Sequence, residues 1–203
     1  MKSQSIVGID EVGRGPIAGP VAVGAFLLKI TNYELRIKVK NSRLPIRDSK
    51  KLTEKQREEW FKIIKKWKKE GKVDYAVSFV SAKVVDKIGI VPAIKKALAQ
   101  SIKKLAVDPK NTLVLLDGGL KASEEYKNQK TIIKGDEKEP VISLASIVAK
   151  VSRDRLMCRL GKKFPCYGLE KHKGYGTNSH YKAINSNGHL PLHRQSFLKK
   201  LKK

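Results

Sequence analysis

Cysteine is nearly absent. Two residues, Cys158 and Cys166, stand among 203. That is too few for a disulfide framework, and with the four histidines they show no zinc-ligand spacing. Ordinary thiols in a reducing compartment are the expectation. No apolar run approaches the roughly 18 residues of a membrane span. The N-terminal MKSQSIVGIDE has few apolar residues and no cleavage pattern, so it does not read as a secretory signal. These absences point to a cytoplasmic protein with no place in a membrane. Acid is also scarce: 19 Asp and Glu face 44 Lys and Arg, a net charge of +25. A surplus of that size favours a polyanionic partner through counterion release, with nucleic acid ahead of an anionic membrane surface. No basic amphipathic helix with aromatic anchors supports the membrane alternative. The lysines are spread along the chain and thickest at Lys199, Lys200, Lys202 and Lys203, which suits phosphate contact more than base reading.

At this length the chain can bury one sizeable core, or a core with a small appendage. There is no internal repeat and no low-complexity linker. Residues 5–10 and 20–28 read as apolar strands separated by a glycine-marked turn from Gly13 to Gly19. Thr53 with Gln56 forms a capping box that opens a Lys/Glu-rich helix to about Lys69. Residues 73–80 read as a third strand. Ile90, Ile94, Leu98, Ile102 and Leu105 recur at helical spacing. Residues 112–116 form a short strand ending at Asp117, and 131–133 a candidate fifth. Pro140 suits the first position of a helix that is apolar nearly all round to Val151, hence buried. The sum is an α/β layer fold, with a main body over residues 1–160 and a basic, glycine-rich helical extension over 161–203 packed on it as one structural unit.

Four carboxylates fall where strands or loops end: Asp10, Glu11, Asp117 and Asp136. Oxygen donors without histidine or cysteine suit hard cations, Mg²⁺ or Mn²⁺. Acids grouped inside so basic a protein would repel a polyanion unless metal filled the site. Two ions about 3.5–4 Å apart would clamp the attacking and leaving oxygens of a phosphodiester. Neighbouring strand residues point to opposite faces, so Asp10 and Glu11 can share a site only if the strand ends or bends there. Gly13 and Gly15 would permit that.

The string GIDEVGRGPIAGPV resembles the first signature of the ribonuclease HII family. DSKKLTEKQRE, LLDGG, KGDEKEPVISLASIVAKVSRDRLM and KGYGTNSHYKAINSNGHLPLHRQSF follow in the family's order, from Ile6 to Phe197. The resemblance implies a ribonuclease H-like fold: a five-stranded mixed sheet flanked by helices, with a C-terminal helical extension. It implies that Asp10, Glu11, Asp117 and Asp136 are the catalytic, metal-binding carboxylates and that Mg²⁺ or Mn²⁺, two ions during catalysis, is the cofactor. Gly13, Arg14 and Gly15 match the motif whose backbone approaches a ribose 2′-hydroxyl. Ser49 and Lys50 match the phosphate-binding loop, and Tyr175 the tyrosine that packs on the sugar at the RNA–DNA junction. The expected activity is endonucleolytic hydrolysis of RNA in RNA–DNA hybrids. Cutting 5′ to single ribonucleotides in duplex DNA is also expected, leaving 3′-hydroxyl and 5′-phosphate ends. The expected partners are those nucleic acids, and the expected state is a monomer.

Glycine exposes amides to a ligand, and the 2′-hydroxyl is what separates RNA from DNA. The chain departs from the family pattern at Gly119, where asparagine is frequent. The sister type, ribonuclease HIII, fits less well, since it usually has glutamate where Asp136 stands and an additional N-terminal domain. The four histidines read as surface or structural residues, Arg153 and Asp154 as members of ion pairs, Trp60 and Trp67 as core or groove residues at helical spacing, and Phe197 as a pin for the tail. A resolvase-like carboxylate nuclease and a non-catalytic nucleic-acid binder are the rival readings. The GRG turn and GYGT argue against the first, and the retained acids against the second.

Overall fold

The computed structural model describes residues 5–29, 49 and 51–198. Three strands, β1 (Ser5–Val12), β2 (Val21–Lys29) and β3 (Val73–Val80), form an antiparallel meander. β4 (Thr112–Asp117) runs parallel to β1, and β5 (Gln129–Ile132) parallel to β4. The sheet order is β3-β2-β1-β4-β5, a five-stranded mixed sheet as expected.

Each face carries its own helical layer. α3 (Ile90–Leu105) turns the stripe Ala93, Ile94, Ala97, Leu98, Ile102 and Leu105 onto one side. There it packs with Val7, Ile9, Val23 and Leu116 in one apolar cluster. Its short predecessor α2 (Ala82–Ile88) is capped by Ser81. On the opposite face lie α1 (Glu54–Lys69) and α5 (Pro140–Lys163). Trp60, Phe61 and Ile64 of α1 join Val141, Leu144 and Val148 of α5 over Ile6, Phe26 and Leu28. The capping box at Thr53 and Gln56 forms as the sequence indicates, and the rings of Trp60 and Trp67 meet edge to face at 6.2 Å.

α5 lies unusually close to the sheet, and two glycines allow it. A Cβ on Gly8 would stand 2.2 Å from the Val141 carbonyl oxygen, and one on Gly24 2.4 Å from that of Ala145. Side chains alternate along a strand, so the β1 residues facing α5 are Ile6, Gly8 and Asp10. The missing side chain at Gly8 brings the helix down onto the sheet, and Asp10 follows directly under it.

Beyond α5 the chain makes the short α6 (Leu169–His172) and α7 (Asn178–Asn187). Tyr167, Leu169, Ile184 and Leu198 pack with Met157 of α5 and with Ile17 and Ala18 of the β1–β2 turn. α5 itself continues to Lys163, past residue 160. Asp86 of α2 accepts from the backbone N–H groups of Gln195 (2.9 Å) and Ser196 (3.0 Å), and Phe197 packs partly buried against the core.

β1 runs through its acids to Val12 on its β2 side: Asp10 pairs with Gly24, Glu11 with Val23 and Val12 with Ala22 in antiparallel register. The longer partner, β2, continues the ladder after the parallel register with β4 has stopped at Ile9 and Leu116.

Candidate active site

Asp10 and Glu11 follow one another near the end of β1, beside the end of β4 where Asp117 emerges, and the charge of Asp117 reaches both. Asp117 accepts a hydrogen bond from the Gly135 N–H at 2.7 Å. This bond ties the end of β4 to α4 (Gly135–Lys138), the turn that carries Asp136. Ser143 of α5 donates to the Asp136 carbonyl. Strand ends and one helical turn thus bring all four predicted acids to one edge of the sheet.

Their electrostatics register the proximity. Asp10 is 5% exposed. Burial pushes its carboxyl well above the usual carboxylate range; a hydrogen bond with Ser146 opposes this, and the charges of Glu11, Asp117 and Asp136 add to it. Glu11 is likewise raised, first by burial and also by Asp117, with Arg14 opposing; the Arg14 guanidinium lies 3.5 Å from its carboxylate. Among the described residues, no three of the acids, histidines or cysteines form a ready-made cation cage. The donor set nevertheless fits a hard divalent cation: it offers oxygen alone, and its mutual repulsion is what such a cation would relieve.

The GRG turn is held from behind by two buried arginines. Arg194 donates to the carbonyls of Gly13 (2.7 Å), Arg14 (2.9 Å) and Gly19 (3.1 Å). Arg153 donates to those of Ala18 (3.2 Å), Pro20 (3.0 Å) and Lys173 (2.9 Å). Asp154 forms the expected ion pairs, within α5 to Lys150 at 2.8 Å and across to Arg57 of α1 at 3.9 Å, whereas Arg153 has no ion pair among the described residues, its donors being committed to backbone. Burial, and then the charge of Arg153, lower Arg194 to about 10, so it stays protonated at neutral pH. Six carbonyls fixed by two cations set the peptide planes of the turn and join it to the GYGT loop. Tyr175 is 45% exposed, and a Cβ on Gly15 would lie 3.9 Å from its ring. The motifs expected to read the sugar are therefore neighbours.

Ser49 is buried, its hydroxyl 2.7 Å from that of Ser146 and its carbonyl bonded by Arg57 at 2.9 Å. Lys50 lies outside the described residues. Lys51 pairs with Glu137 at 2.6 Å.

The sequence reads the histidines as surface or structural residues, and two of them, His180 and His193, form one buried hydrogen-bonded chain. The Leu190 N–H donates to His193 Nδ1 (2.8 Å), His193 and His180 join through their Nε2 atoms (3.1 Å), and His180 Nδ1 bonds the Tyr175 carbonyl (2.8 Å). One tautomer set satisfies the whole chain with both rings neutral: His193 donates from Nε2 and His180 from Nδ1. Burial, and then the adjacent His180, lower His193 to about 4. The unfolded chain takes up this proton near pH 6.5, while the folded one resists until about pH 4. Stability from this group is therefore present at neutral pH and lost as the pH falls through that interval. The melting temperature of the wild type should drop more steeply between pH 6.5 and 4 than that of His193→Asn, which keeps an acceptor for Leu190. Parallel slopes in thermal melts would show that the ring titrates normally.

Comparison with known proteins bears on this arrangement. The sequence pattern described as Ribonuclease HII matches residues 7–200. A ribonuclease HII of Endomicrobium trichonymphae is 43% identical over 193 residues, covering 95% of this chain and 84% of its own. The ribonuclease HII in the PCNA complex from Archaeoglobus fulgidus superposes with a TM-score of 0.70 at 26% identity, over 93% of each chain. A Bst ribonuclease HIII solved with Mn²⁺ shares the fold, with a TM-score of 0.69 at 16% identity over 99% of this chain and 71% of its own.

Proposed function

The chain belongs to the ribonuclease HII family, metal-dependent endonucleases that degrade RNA in RNA–DNA hybrids, and we propose that Asp10, Glu11, Asp117 and Asp136 are the carboxylates that hold its metal. The observation that carries this reading is Asp10: a buried acid, raised by burial and by the other three, at the edge where β1 and β4 bring them together. Mg²⁺ or Mn²⁺, two ions during catalysis, would polarise the scissile phosphate and lower the pKa of the attacking water. This chain's own residues do the rest. Asp10 and Asp117 fix the donor positions, each held by a backbone N–H at 2.7 Å. Arg14, beside Glu11, offers charge to a phosphate. The Gly13–Gly15 turn, its peptide planes set by Arg194, presents backbone to the 2′-hydroxyl. Tyr175 packs on the neighbouring sugar, and Lys50 contacts phosphate with Ser49 supporting its loop. The protein cuts 5′ to a lone ribonucleotide in duplex DNA as well as within hybrids, leaving 3′-hydroxyl and 5′-phosphate ends. It acts as a monomer, with residues 161–203 as an extension on the 1–160 body. Two unbridged thiols, Cys158 and Cys166, suit the cytoplasm.

Three duplexes test the reading, all-DNA, single-ribonucleotide and continuous hybrid, each with Mg²⁺, Mn²⁺ and chelator. Activity should vanish in chelator and return with either ion. The all-DNA duplex should bind through its phosphates but stay intact. Tyr175→Ala should slow cleavage at the lone ribonucleotide about 10-fold more than cleavage of the hybrid, since stacking on a sugar or base contributes roughly 1–3 kcal/mol and a hybrid offers other registers. Equal losses on both substrates would remove the junction-reading role. Cutting of all-DNA duplex would favour a resolvase-like nuclease.

A further inference from the structure

Tyr175 is an exposed aromatic on a main chain that is fixed on both sides. The carbonyl before it, that of Gly174, accepts from the N–H groups of Ile17 (2.9 Å) and Ala18 (3.1 Å). Its own N–H donates to the His172 carbonyl at 3.0 Å. Its own carbonyl accepts twice, from the Thr177 N–H (2.9 Å) and from His180 Nδ1 (2.8 Å). His180 is thus a side chain among main-chain partners. It is fully buried on α7, and its neighbours fix how it bonds. A carbonyl only accepts, so the ring proton sits on Nδ1 toward Tyr175 and Nε2 is left as an acceptor. His193 Nε2 donates to it from 3.1 Å, while His193 Nδ1 accepts from the Leu190 N–H. His172 stacks on the His180 ring, with centroids 4.2 Å apart and planes 21° from parallel. His172 Nε2 donates to the Tyr167 carbonyl (2.8 Å), and its Nδ1 accepts from the Gly174 N–H (3.2 Å). Three rings are each engaged at both nitrogens. The Gly174–Tyr175 pair is held at its first N–H by His172 and at its last carbonyl by His180.

We propose that His180 is a positioning residue for Tyr175, its Nδ1–H fixing the peptide after Tyr175 and so the approach of the ring to the Gly13–Gly15 turn, and that His193 holds that proton in place by occupying Nε2. The proposal rests on the reading of Tyr175 as the residue that packs on the junction sugar. It assigns part of the discrimination between a lone ribonucleotide and a continuous hybrid to side chains that touch neither. A ring this exposed has little packing of its own to orient it, so its main chain must do so. Placing that main chain in advance matters because ordering it on binding would subtract from the contact. Groups locked by buried hydrogen bonds hold such a geometry better than a free loop does. A hybrid offers the ring other registers; a lone ribonucleotide offers one. Loss of placement therefore weighs more on the second substrate. If His180 only filled space, its replacement would lower stability and slow both substrates alike.

The test takes the ratio of two rates for the full chain with Mg²⁺, cleavage at a lone ribonucleotide over cleavage of a continuous hybrid. Asparagine and glutamine at position 180 separate the two ring nitrogens. The asparagine amide falls near the place of Nδ1 and still donates to Tyr175; the glutamine amide reaches the place of Nε2 and does not. His180→Gln should lower the ratio about 5-fold, roughly what one hydrogen bond contributes. His180→Asn should keep it within about 2-fold of wild type. His193→Leu removes the donor to His180 Nε2 and should lower the ratio about 3-fold; it reads the same coupling should glutamine at 180 prevent folding, which thermal melts report. Tyr175→Ala combined with His180→Gln should match Tyr175→Ala alone, because His180 acts only through Tyr175. A wild-type ratio in His180→Gln, or an equal loss in His180→Asn, would overturn the proposal, as would multiplied losses in the combined variant. An unchanged ratio in His193→Leu would overturn the part given to His193. An unchanged ratio in Tyr175→Ala would instead bring down the reading of Tyr175, and the proposal with it.

Discussion

Asp10→Asn should lower hydrolysis roughly 10³-fold, the equivalent of about 4 kcal/mol of transition-state stabilisation, while making the metal-free protein more stable. Both effects have one cause. Asp10 is buried among three other acids, and its carboxyl is pushed upward by burial and by their charges. A carboxyl raised in the folded state destabilises the fold at neutral pH. The unfolded chain ionises near pH 3.8 at no such cost, so stability falls from there until the raised folded value is passed. Asparagine keeps the shape and removes the charge. Each kcal/mol relieved should raise the melting temperature by about 2–4 °C in a protein of this size. Excess Mg²⁺ or Mn²⁺ should narrow the difference by stabilising the wild type selectively. Duplex binding should persist or tighten, because a negative charge near phosphate is gone. Melts with and without Mg²⁺, beside a hybrid-cleavage assay, read all of this. A variant that cuts at near wild-type rate with the same metal would show that the acid is not part of the site.

The sequence makes the acids legible because chemistry names them: oxygen donors at element ends, in the order of a known family. It makes the layers legible because periodicity does. The α3 stripe from Ile94 to Leu105 and the capped start of α1 follow from local pattern alone. The path of β1 through Asp10 does not, because it depends on the length of a partner. β2 runs on past the end of the β1–β4 pairing, and no local signal in IDEV reports that. Arg153 misleads for a related reason. Beside Asp154 it reads as half of an ion pair, yet its donors serve the carbonyls of Ala18 and Pro20, about 135 residues away in sequence. Buried cations paired with backbone leave no trace in a charge pattern. The histidines are similar: His180 and His193 make sense only as a pair, joined across a turn that sequence spacing does not close. Function was readable where residue identity carries it; support was hidden where it runs through main-chain atoms of distant segments.

Gly13→Ala should damage the protein more than any blocked ligand approach alone would explain. Its φ of +83° is a region that L side chains occupy at a cost of roughly 1–2 kcal/mol. The larger obstacle is Arg153. A Cβ at Gly13 would stand 2.2 Å from the Arg153 Nε and 2.8 Å from its Cδ, and this side chain cannot yield freely. It is fully buried and bonded to three carbonyls from two loops. Displacing it leaves buried donors unsatisfied at about 1–3 kcal/mol each. A loss near 4 kcal/mol is expected, lowering the melting temperature by about 8–16 °C. Cleavage of lone ribonucleotides and hybrids should fall together, since the GRG turn and the GYGT loop share this support. Gly15→Ala separates folding from recognition. Its Cβ would meet only the Tyr175 ring, at 3.9 Å, an ordinary contact. Its melting temperature should stay close to wild type, while cleavage drops because a methyl group now faces the sugar. Thermal melts and rates on both substrates distinguish the two glycines. A Gly13→Ala protein as stable as wild type would show that Arg153 can move aside and that the turn is held by something else. A fully active Gly15→Ala protein would show that the ribose does not approach the turn at that residue.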